Sequence, residues 1–401
     1  MVHVLLCALV IALAACPAPA ASPARPPAVI LVSIDGFRRD YLDRGITPNL
    51  SRLAREGVQA RAMIPVFPTL TFPNHYSIVT GRYPAHHGIV ANSFRAPDLG
   101  RVYSMHDRSS VRDPRFYLAE PIWVAAERRG LATAPFFWPG SEAAIGGTRP
   151  TWLVSYDGAL PDADRVARVL RWLDMPPARR PVFLTLYLSG VDAAGHRYGP
   201  DAPETRAAIA HADSVVGSLL AGLDRGRLAD SVNLIVVSDH GMAATSPDSV
   251  IALGRHLPRQ WVDVEELSPV LMAWPHAGLV DSVCARLRAL RHLSVYRRAD
   301  LPARYHLEES SRIPPVMAVA DPGWTIRWES EGSWETYGSH GYDDTLPDMR
   351  AIFVAHGPAF RRGVTVPAFR NIHVYALLAT LLRLRLPPGD GALDSVRGML
   401  R

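Results

Sequence analysis

Apolar runs alternate with amphipathic segments over the first 240 residues of the chain. Short, almost wholly apolar runs at Ala28–Ile34, Val182–Leu188 and Val232–Val237 predict buried strands. Between them, segments 165–173 and 204–223 repeat apolar residues about every 3.6 positions, the period of a helix. Because strands that alternate with helices form parallel sheets covered on both faces, the pattern predicts an α/β fold with a mostly parallel central sheet.

The remaining segments complete this body and indicate one insertion. Further extended segments are predicted at 60–65, 132–138 and 349–355. Further helices are predicted at 47–53, 76–80, 121–129 and 372–386. Residues 242–338 do not follow this alternation of strands and helices. They contain an apolar run at 269–274, a predicted helix at 279–290 and a predicted strand at 293–296. We therefore predict one domain spanning residues 28–401, with a smaller α/β subdomain inserted at about 242–338.

The N-terminal segment has the composition of an export signal. Leu5–Ala15 is apolar but too short to span a bilayer, which predicts a secretory signal peptide within residues 1–20. Leu13–Cys16 also resembles a bacterial lipobox, in which Cys16 would carry a lipid and tether the protein to a membrane. Ordinary cleavage a few residues later is the alternative, and residues 21–27 would then serve as a Pro/Ala-rich spacer. We expect an exported, periplasmic protein, either free or lipid-anchored.

Composition narrows the class of protein further. Of the 401 residues, 48% are hydrophobic and 20% are charged, values typical of a globular protein. Only Cys284 lies outside the N-terminal segment, so the folded part cannot form an internal disulfide. A net charge of +5 would attract phosphate-bearing substrates. No basic run with interleaved aromatic residues is present, so we expect no polynucleotide binding, and we infer no obligate protein partner.

Carboxylates and imidazoles follow three of the predicted strands, and a further His-Gly pair lies downstream. The six side chains are Asp35, Asp192, His196, Asp239, His240 and His340. Because the carboxyl ends of parallel strands meet at one edge of a sheet, we expect these side chains to lie close together. Three carboxylates and three imidazoles are suitable donors for two ions of the Zn²⁺ class. A single strand-end Asp can also be a helix N-cap, so the inference depends on the whole set.

Thr71 is the candidate nucleophile, because it precedes the helix predicted at 76–80. Free N–H groups and the helix dipole at such a position favour an anion. Coordination of its hydroxyl to a divalent ion would lower the hydroxyl pKa and activate it for attack. Taken alone, Thr71 would be interpreted as an ordinary N-cap.

These motifs resemble the nucleotide pyrophosphatase/phosphodiesterase family of the alkaline phosphatase superfamily, over nearly the whole mature sequence. The motifs that carry the resemblance are Asp35-Gly36, Thr71–Tyr76, Gly88–Asn92, Glu120–Trp123, Phe136–Ser141, Asp192 with His196, Ser238–Met242 and His340-Gly341. The resemblance implies an alkaline-phosphatase-like fold, with a central sheet between helices, in a compact bacterial member without appended domains.

The resemblance also implies a metal centre and a mechanism. One Zn²⁺ would be held by Asp35, Thr71, Asp239 and His240, and a second Zn²⁺ by Asp192, His196 and His340. Thr71 would attack phosphorus to form a covalent ester, which activated water would then hydrolyse. The amide of Asn92 and the backbone N–H of Phe72 would hold a non-bridging phosphate oxygen.

Two aromatic residues favour a nucleotide as the small-molecule substrate. Phe72 follows the nucleophile, and Tyr156 stands where nucleotide-active family members also carry Tyr, so the pair would clamp a base and release a nucleoside 5′-monophosphate. Either ring could instead fill the core. Two positions differ from many animal relatives: Leu70 stands where they carry Lys, and residues 189–191 stand where they are acidic. These differences leave the identity of the preferred leaving group undetermined.

Three alternative functions remain at this point. A choline-phospholipid or lysophospholipid phosphodiesterase would use the same metal centre. A phosphomonoesterase is a weaker alternative, since Phe72 stands where alkaline phosphatases place an Arg beside the nucleophile. A non-catalytic metal- or phosphate-binding lipoprotein belongs to a different class.

Overall fold

The computed structural model describes residues 25–328, 336–385 and 387–401. The predicted signal peptide and Cys16 lie outside the described residues. Its α-helices are α1 (Pro48–Glu56), α2 (Thr71–Thr80), α3 (Pro84–His87), α4 (Arg108–Val111), α5 (Ile122–Glu127), α6 (Asp162–Leu173), α7 (Gly190–Tyr198), α8 (Pro203–Arg225), α9 (Val280–Arg288) and α10 (His373–Leu381). None of the helices described here is long and apolar enough to cross a membrane.

The strands are short and mostly buried. They are β1 (Ala28–Ile34), β2 (Val58–Ala60), β3 (Met63–Ile64), β4 (Ser93–Ala96), β5 (Arg101–Ser104), β6 (Thr133–Ala134), β7 (Phe183–Leu188), β8 (Val232–Val237), β9 (Ala243–Ala244), β10 (Val250–Ala252), β11 (Val262–Glu266), β12 (Val270–Pro275), β13 (Leu293–Arg297), β14 (Val316–Ala320), β15 (Thr325–Arg327), β16 (Gly338–Ser339), β17 (Phe353–His356), β18 (Val364–Val366) and β19 (Phe369–Arg370).

The central sheet has the strand order β18-β2-β17-β8-β1-β7-β6. Strand β1 is parallel to both of its neighbours, with Ser33 opposite Val237 and Ile34 opposite Leu188. Strand β17 is antiparallel to β8 and β2, whereas the other pairings in this sheet are parallel. The prediction of a mostly parallel α/β sheet is therefore confirmed, and the carboxyl ends of β1, β7 and β8 meet at one edge.

Both faces of this sheet are covered by helices, which explains why its central strands are mostly apolar. Along β1, Val29 and Leu31 pack into one core, whereas Ile30 and Val32 pack into the other. This alternation follows from the pleat, which points successive side chains to opposite faces. Helices α2, α5 and α10 pack together on the first face, and α1, α6 and α8 pack together on the second.

A second, smaller sheet lies within the region predicted as an insertion. Its strand order is β11-β12-β14-β13, all antiparallel, and α9 packs against β13 and β14. Strand β11 contacts β4 of the main body, where Arg95 pairs with Asp263 and Glu265. The segment thus contains the predicted helix and strands. The domain limits at 242 and 338 stay a prediction.

Several predicted elements have different bounds in the structure, and three of them differ for a visible reason or by several residues. Helix α2 begins at Thr71, five residues before the predicted start, because Pro73 lies in the first turn, where its missing N–H is not needed. The strand predicted at 132–138 is only two residues long, since the chain turns away at Phe137, which has a positive φ of 61°. Helix α10 is also shorter than the predicted segment 372–386.

Candidate active site

The strand-end residues predicted as metal ligands do meet at one edge of the central sheet. Asp35 directly follows β1, and Asp239 and His240 follow β8 by two and three residues. Asp192 lies in the first turn of α7, after β7, and His196 lies one turn further along the same helix. The parallel register of β7, β1 and β8 brings these side chains together, as the pattern of strand ends predicts.

The first group of donors surrounds the Nε2 atom of His240. That nitrogen lies 2.9 Å from Asp239 Oδ2 and 3.5 Å from Asp35 Oδ1. It also lies 3.2 Å from the hydroxyl oxygen of Thr71. Two carboxylates, one imidazole and one hydroxyl therefore converge, and these are the four residues predicted to hold one ion.

The second group surrounds the Oδ1 atom of Asp192. This oxygen lies 3.5 Å from His196 Nε2 and 3.6 Å from His340 Nε2. Donor atoms of Asp192, His240 and His340 also lie within 4.8 Å of one another, as do those of Asp35, Asp239 and His240. The rings of His240 and His340 stack with their centroids 3.5 Å apart. The two groups therefore adjoin, and His240 belongs to both.

Main-chain carbonyls fix the orientation of all three imidazoles. In each ring Nδ1 lies 2.9 Å from a carbonyl oxygen; the partners are Gly338 for His196, Gly241 for His240 and Thr69 for His340. A carbonyl oxygen can only accept, so each Nδ1 carries the proton and each Nε2 presents a lone pair to the site. This arrangement is typical of histidines that bind metal ions.

Three buried carboxylate oxygens at the same place lack a hydrogen-bond donor: Asp35 Oδ1, Asp192 Oδ1 and Asp239 Oδ2. His240 Nε2 approaches Asp239 Oδ2 at 2.9 Å, and in the neutral imidazole with its proton on Nδ1 this nitrogen offers that oxygen no donor. Buried carboxylate oxygens without partners are costly. Three such oxygens facing three imidazole lone pairs fit divalent cations, so the donor set passes the chemical test for a metal centre.

The remaining oxygens of two carboxylates are held by the protein itself. The Tyr187 hydroxyl donates to Asp35 Oδ2, and the N–H of Gly36 donates to Asp239 Oδ1 at 3.2 Å. A Cβ at position 36 would lie 3.0 Å from Asp192, so this close approach also requires a glycine. Each carboxylate thus has one oxygen anchored and one directed into the site. The role of Tyr187 was not predicted, and a hydroxyl near the end of a mostly apolar strand was its only signal.

Crowding of charge shifts the pKa values of the buried groups. Burial raises the pKa of Asp35 well above its usual value, and the neighbouring Asp239 and Asp192 raise it further. Burial also acts to raise the pKa of Asp239, but attraction to the charged form of His240, and secondly to that of His75, outweighs it and lowers that pKa well below its usual value. The site thus concentrates negative charge that a cation would neutralise.

Thr71 is the first residue of α2 and is almost buried. The loop before it is held by Asn74, whose amide donates to the carbonyls of Val66, Pro68 and Leu70. His75 is also buried, and its Nδ1 lies 2.9 Å from the Thr71 carbonyl oxygen. Asn74 and His75 therefore brace the loop that positions the Thr71 hydroxyl.

Asn92 lies beside the start of α2. Its Oδ1 accepts a 3.0 Å hydrogen bond from the N–H of Phe72. The sequence predicts that both groups donate to a phosphate oxygen, whereas the structure bonds them to each other. This bond directs the carboxamide oxygen toward α2 and leaves the Asn92 NH₂ group as the donor available to a substrate. The binding of a substrate oxygen by Asn92 stays a prediction.

A cavity of about 280 Å³ opens next to Thr71 and Asp35. Phe72 and Tyr156 both line it, so the two aromatic residues predicted to hold a base share one cavity. Tyr156 is 43% exposed and contacts Phe137 with ring centroids 5.2 Å apart. The Tyr156 side chain therefore forms part of the cavity wall and does not belong to the hydrophobic core.

A charged group on the cavity wall was not predicted from the sequence. Glu142 accepts the main-chain N–H of Tyr156 at 3.1 Å and pairs with Arg108 and, at 3.1 Å, with Arg112. Both Glu142 and Arg108 line the cavity. Glu142 directly follows the motif at 136–141, which was its only sequence signal. These contacts fix the position of Tyr156 and neutralise the carboxylate.

The fold and this site define a metal-dependent α/β hydrolase. The family model of type I phosphodiesterases/nucleotide pyrophosphatases matches residues 29–343. The chain belongs to this family.

Similar proteins agree with this membership. An uncharacterized pyrophosphatase/phosphodiesterase of Schizosaccharomyces pombe is 38% identical over 398 residues, covering 93% of this chain and 80% of the relative. Ectonucleotide pyrophosphatase/phosphodiesterase family member 1 of Homo sapiens is 37% identical, covering 94% of this chain. The chain spans only 42% of that relative's length and 46% of a venom phosphodiesterase of Crotalus durissus collilineatus.

A solved structure extends the similarity to the fold. It is murine ectonucleotide pyrophosphatase/phosphodiesterase 5, an inactive threonine-to-alanine variant in complex with AMP. Its TM-score is 0.90 at 37% identity, and the match covers 94% of this chain and 100% of that one. The alkaline-phosphatase-like fold implied by the sequence motifs is thereby confirmed.

Proposed function

We propose that this protein hydrolyses nucleotide phosphodiester or phosphoanhydride bonds and releases a nucleoside 5′-monophosphate through a covalent Thr71 intermediate. The observation that carries the proposal is the position of the Thr71 hydroxyl. It lies 3.2 Å from His240 Nε2, within the carboxylate–imidazole group, and borders the cavity lined by Phe72 and Tyr156.

The donor set supports two Zn²⁺ ions as cofactors. One would be held by Asp35, Thr71, Asp239 and His240, and the other by Asp192, His196 and His340. When bound, the two ions would lower the pKa values of the Thr71 hydroxyl and of the attacking water and would stabilise negative charge on phosphate oxygens. His240 borders both donor groups and would fix the position of one ion relative to the other.

In the first step, the Thr71 oxygen attacks phosphorus in line with the leaving group. Thr71 Oγ1 loses its hydroxyl proton to solvent and bonds to phosphorus, the bond to the leaving oxygen breaks, and that oxygen takes up a proton from solvent. The NH₂ group of Asn92 would donate to a non-bridging oxygen, whose charge increases in the transition state. Thr71 is preorganised for this attack by the bracing of Asn74 and His75.

In the second step, water attacks the same phosphorus from the side that the leaving group vacated. The water oxygen bonds to phosphorus and loses a proton, the phosphorus–Thr71 bond breaks, Thr71 Oγ1 regains a proton and the nucleoside monophosphate departs. The cavity supports the choice of a nucleotide, since Phe72 and Tyr156 offer aromatic faces to a base, each worth roughly 1–3 kcal/mol by stacking. The murine relative described as bound to AMP supports the same choice.

A choline ester of a phospholipid is the second candidate substrate, because aromatic rings beside a carboxylate can bind a quaternary ammonium group. Phe72, Tyr156 and Glu142 provide such a combination in this cavity. Glu142, however, is already paired with Arg108 and Arg112. That neutralisation removes the negative charge that choline would require and favours the nucleotide.

A matched pair of substrates tests the proposal: p-nitrophenyl thymidine 5′-monophosphate against p-nitrophenyl phosphorylcholine, with zinc present. We expect a strong preference in kcat/KM for the thymidine ester, and a loss of that preference in Tyr156→Ala. Tyr198→Ala is the matched control, since Tyr198 is similarly exposed, at 42%, and does not line the cavity. Preference for the choline ester would replace the nucleotide assignment with the lipid one, and absence of turnover with either would contradict both.

We also propose that the protein is exported. The relatives named above include ectoenzymes and a venom protein. The apolar segment that precedes the folded domain, with Cys16 at its end, is the feature of this chain that supports the proposal.

A further inference from the structure

The second sheet touches the active-site loop through one side chain, Glu266. This residue ends β11, and its Oε2 accepts a 3.2 Å hydrogen bond from the N–H of Ser93. The main-chain N–H groups of Asn92 and Leu267 also face the carboxylate. One carboxylate therefore accepts from the consecutive N–H groups of Asn92 and Ser93, where β4 begins.

A β-bulge in β11 places Glu266 at this position. Val264 pairs with Ala273 of β12, but Glu266, and not Glu265, pairs with Met272. One extra residue in β11 therefore shifts Glu266 into the place that regular pairing would give Glu265. Because successive side chains of a strand point to opposite faces, the bulge decides which of the two glutamates meets the loop.

The two glutamates have different environments. Glu265 forms an ion pair with Arg95 at 2.9 Å, at the partly exposed contact between β4 and β11. Glu266 receives main-chain donors instead, and burial raises the pKa of its carboxyl group to about 7, against a usual value of 4.5. A carboxyl group with such a desolvation cost is unfavourable for folding, which indicates a role beyond packing.

Asn92 is the residue that Glu266 would control. The Asn92 carbonyl accepts the N–H of Met105 at 2.9 Å, and its side-chain oxygen accepts the N–H of Phe72 at 3.0 Å. Because Glu266 accepts from the main-chain N–H of Asn92, Asn92 is held at its N–H, its carbonyl and its side chain. Loss of the Glu266 contacts would leave the main chain free to move relative to Thr71.

We propose that Glu266 is a positioning residue, which holds the main chain at Asn92 and Ser93 so that the Asn92 carboxamide is aimed at the phosphate oxygen. Glu266 does not itself contact the reacting atoms. This inference rests on the proposed function, in which Asn92 stabilises the transition state. It assigns a catalytic role to the second sheet, which otherwise contributes no residue to the metal-binding groups.

Steady-state kinetics on p-nitrophenyl thymidine 5′-monophosphate test this role with Glu266→Ala and with Glu265→Ala as the matched control. Removing one oxyanion donor costs about 10²–10³ in rate, so we expect misplacement of that donor to lower kcat roughly tenfold to a hundredfold. KM should change little, because the interaction belongs to the transition state. Glu265→Ala should retain the wild-type kcat. Glu266→Gln, which keeps one acceptor oxygen, should recover part of the loss.

A double-mutant cycle with Asn92→Ala decides between positioning and a general structural effect. If Glu266 acts through Asn92, the substitution at 266 should lower kcat no further in the Asn92→Ala background. Additive losses, or an equal loss in Glu265→Ala, would overturn the inference. Should Glu266→Ala not fold, Glu266→Gln enters the same cycle with the same two outcomes. Wild-type activity in Asn92→Ala would instead contradict the proposed function, which keeps the two failures distinct.

Discussion

At the scale of single residues, the centre is built from donors that the protein keeps free. The Nδ1–H of each imidazole donates a hydrogen bond to a main-chain carbonyl, and Asp35 and Asp239 each have one oxygen held by a hydrogen bond. The free nitrogen and oxygen atoms then face one another within the sheet edge. Such preorganisation lowers the cost of binding a cation, because the ligands need no rearrangement and lose little entropy.

Thr71→Ala should abolish nearly all diesterase activity, with a loss greater than the roughly 10²–10³-fold cost of removing an oxyanion donor. The variant lacks the oxygen that forms the covalent ester. Thr71→Ser retains a hydroxyl and should keep measurable turnover. Release of p-nitrophenol from the thymidine ester provides the measurement, with bound zinc quantified as a control for an intact site. Near wild-type turnover in Thr71→Ala would refute the nucleophile.

His240→Ala and His196→Ala should differ in bound metal. Because His240 lies in both donor groups, we expect its loss to reduce zinc content at both sites, whereas His196→Ala should retain about one ion per chain. Elemental analysis after dialysis measures the content. His211→Ala, at an exposed position, is the control and should bind as much zinc as wild type. Identical losses in the two site variants would contradict the shared position of His240.

At the scale of elements, the sequence predicts the strands better than the segments between them. The bounds of β1 and β8 agree residue for residue with their apolar runs, because burial on both faces keeps these strands almost wholly apolar, with Ser33 and Asn233 as the polar exceptions. The start of α2 and the length of β6 were wrong, since Pro73 and the positive φ of Phe137 act through local geometry. Propensity alone does not resolve such effects.

The same limit applies to the site. The proximity of five of the six candidate ligands could be predicted, because sheet topology brings the ends of β1, β7 and β8 together, whereas His340 follows no strand of the central sheet. Tyr187, Glu142 and Glu266 could not, because their partners are distant in sequence and are reached through a strand face, a loop and a bulge. Long-range side-chain contacts of this kind leave no periodic signal in the sequence.

The junction of α2 and α3 should make stability depend on pH. His87 is fully buried; its Nδ1 accepts the N–H of Ile89 at 3.1 Å, and its Nε2 lies 3.0 Å from Ser77 Oγ. Burial lowers the pKa of His87 from 6.5 to about 3. Between these values the unfolded chain binds a proton that the folded protein does not, so the free energy of unfolding should fall with decreasing pH by up to about 1.4 kcal/mol per unit.

Urea denaturation at several pH values measures this dependence. His87→Gln should lose less stability than wild type between pH 6.5 and 3, because it has no proton to gain. His211→Gln, which changes an exposed histidine, should retain the wild-type slope. Parallel slopes for wild type and His87→Gln would show that His87 does not carry the effect.

At the scale of the whole molecule, one sheet positions most of the candidate metal ligands, and a second sheet contacts the loop beside them. Three of the strand ends supply donors to the centre, and β11 reaches the same region through β4. Export is the other property that concerns the entire chain. We expect Cys16→Ser to move the protein from the membrane fraction to the soluble fraction, since the substitution removes the lipid acceptor. An unchanged distribution would favour ordinary cleavage.

The stereochemical course at phosphorus tests the central claim most directly. The substrate is an aryl thymidine 5′-phosphorothioate of known configuration, hydrolysed in isotopically labelled water. Two successive in-line displacements, first by Thr71 and then by water, each invert phosphorus, so we predict net retention of configuration. Net inversion would mean that water attacks the substrate directly and would contradict the covalent Thr71 intermediate.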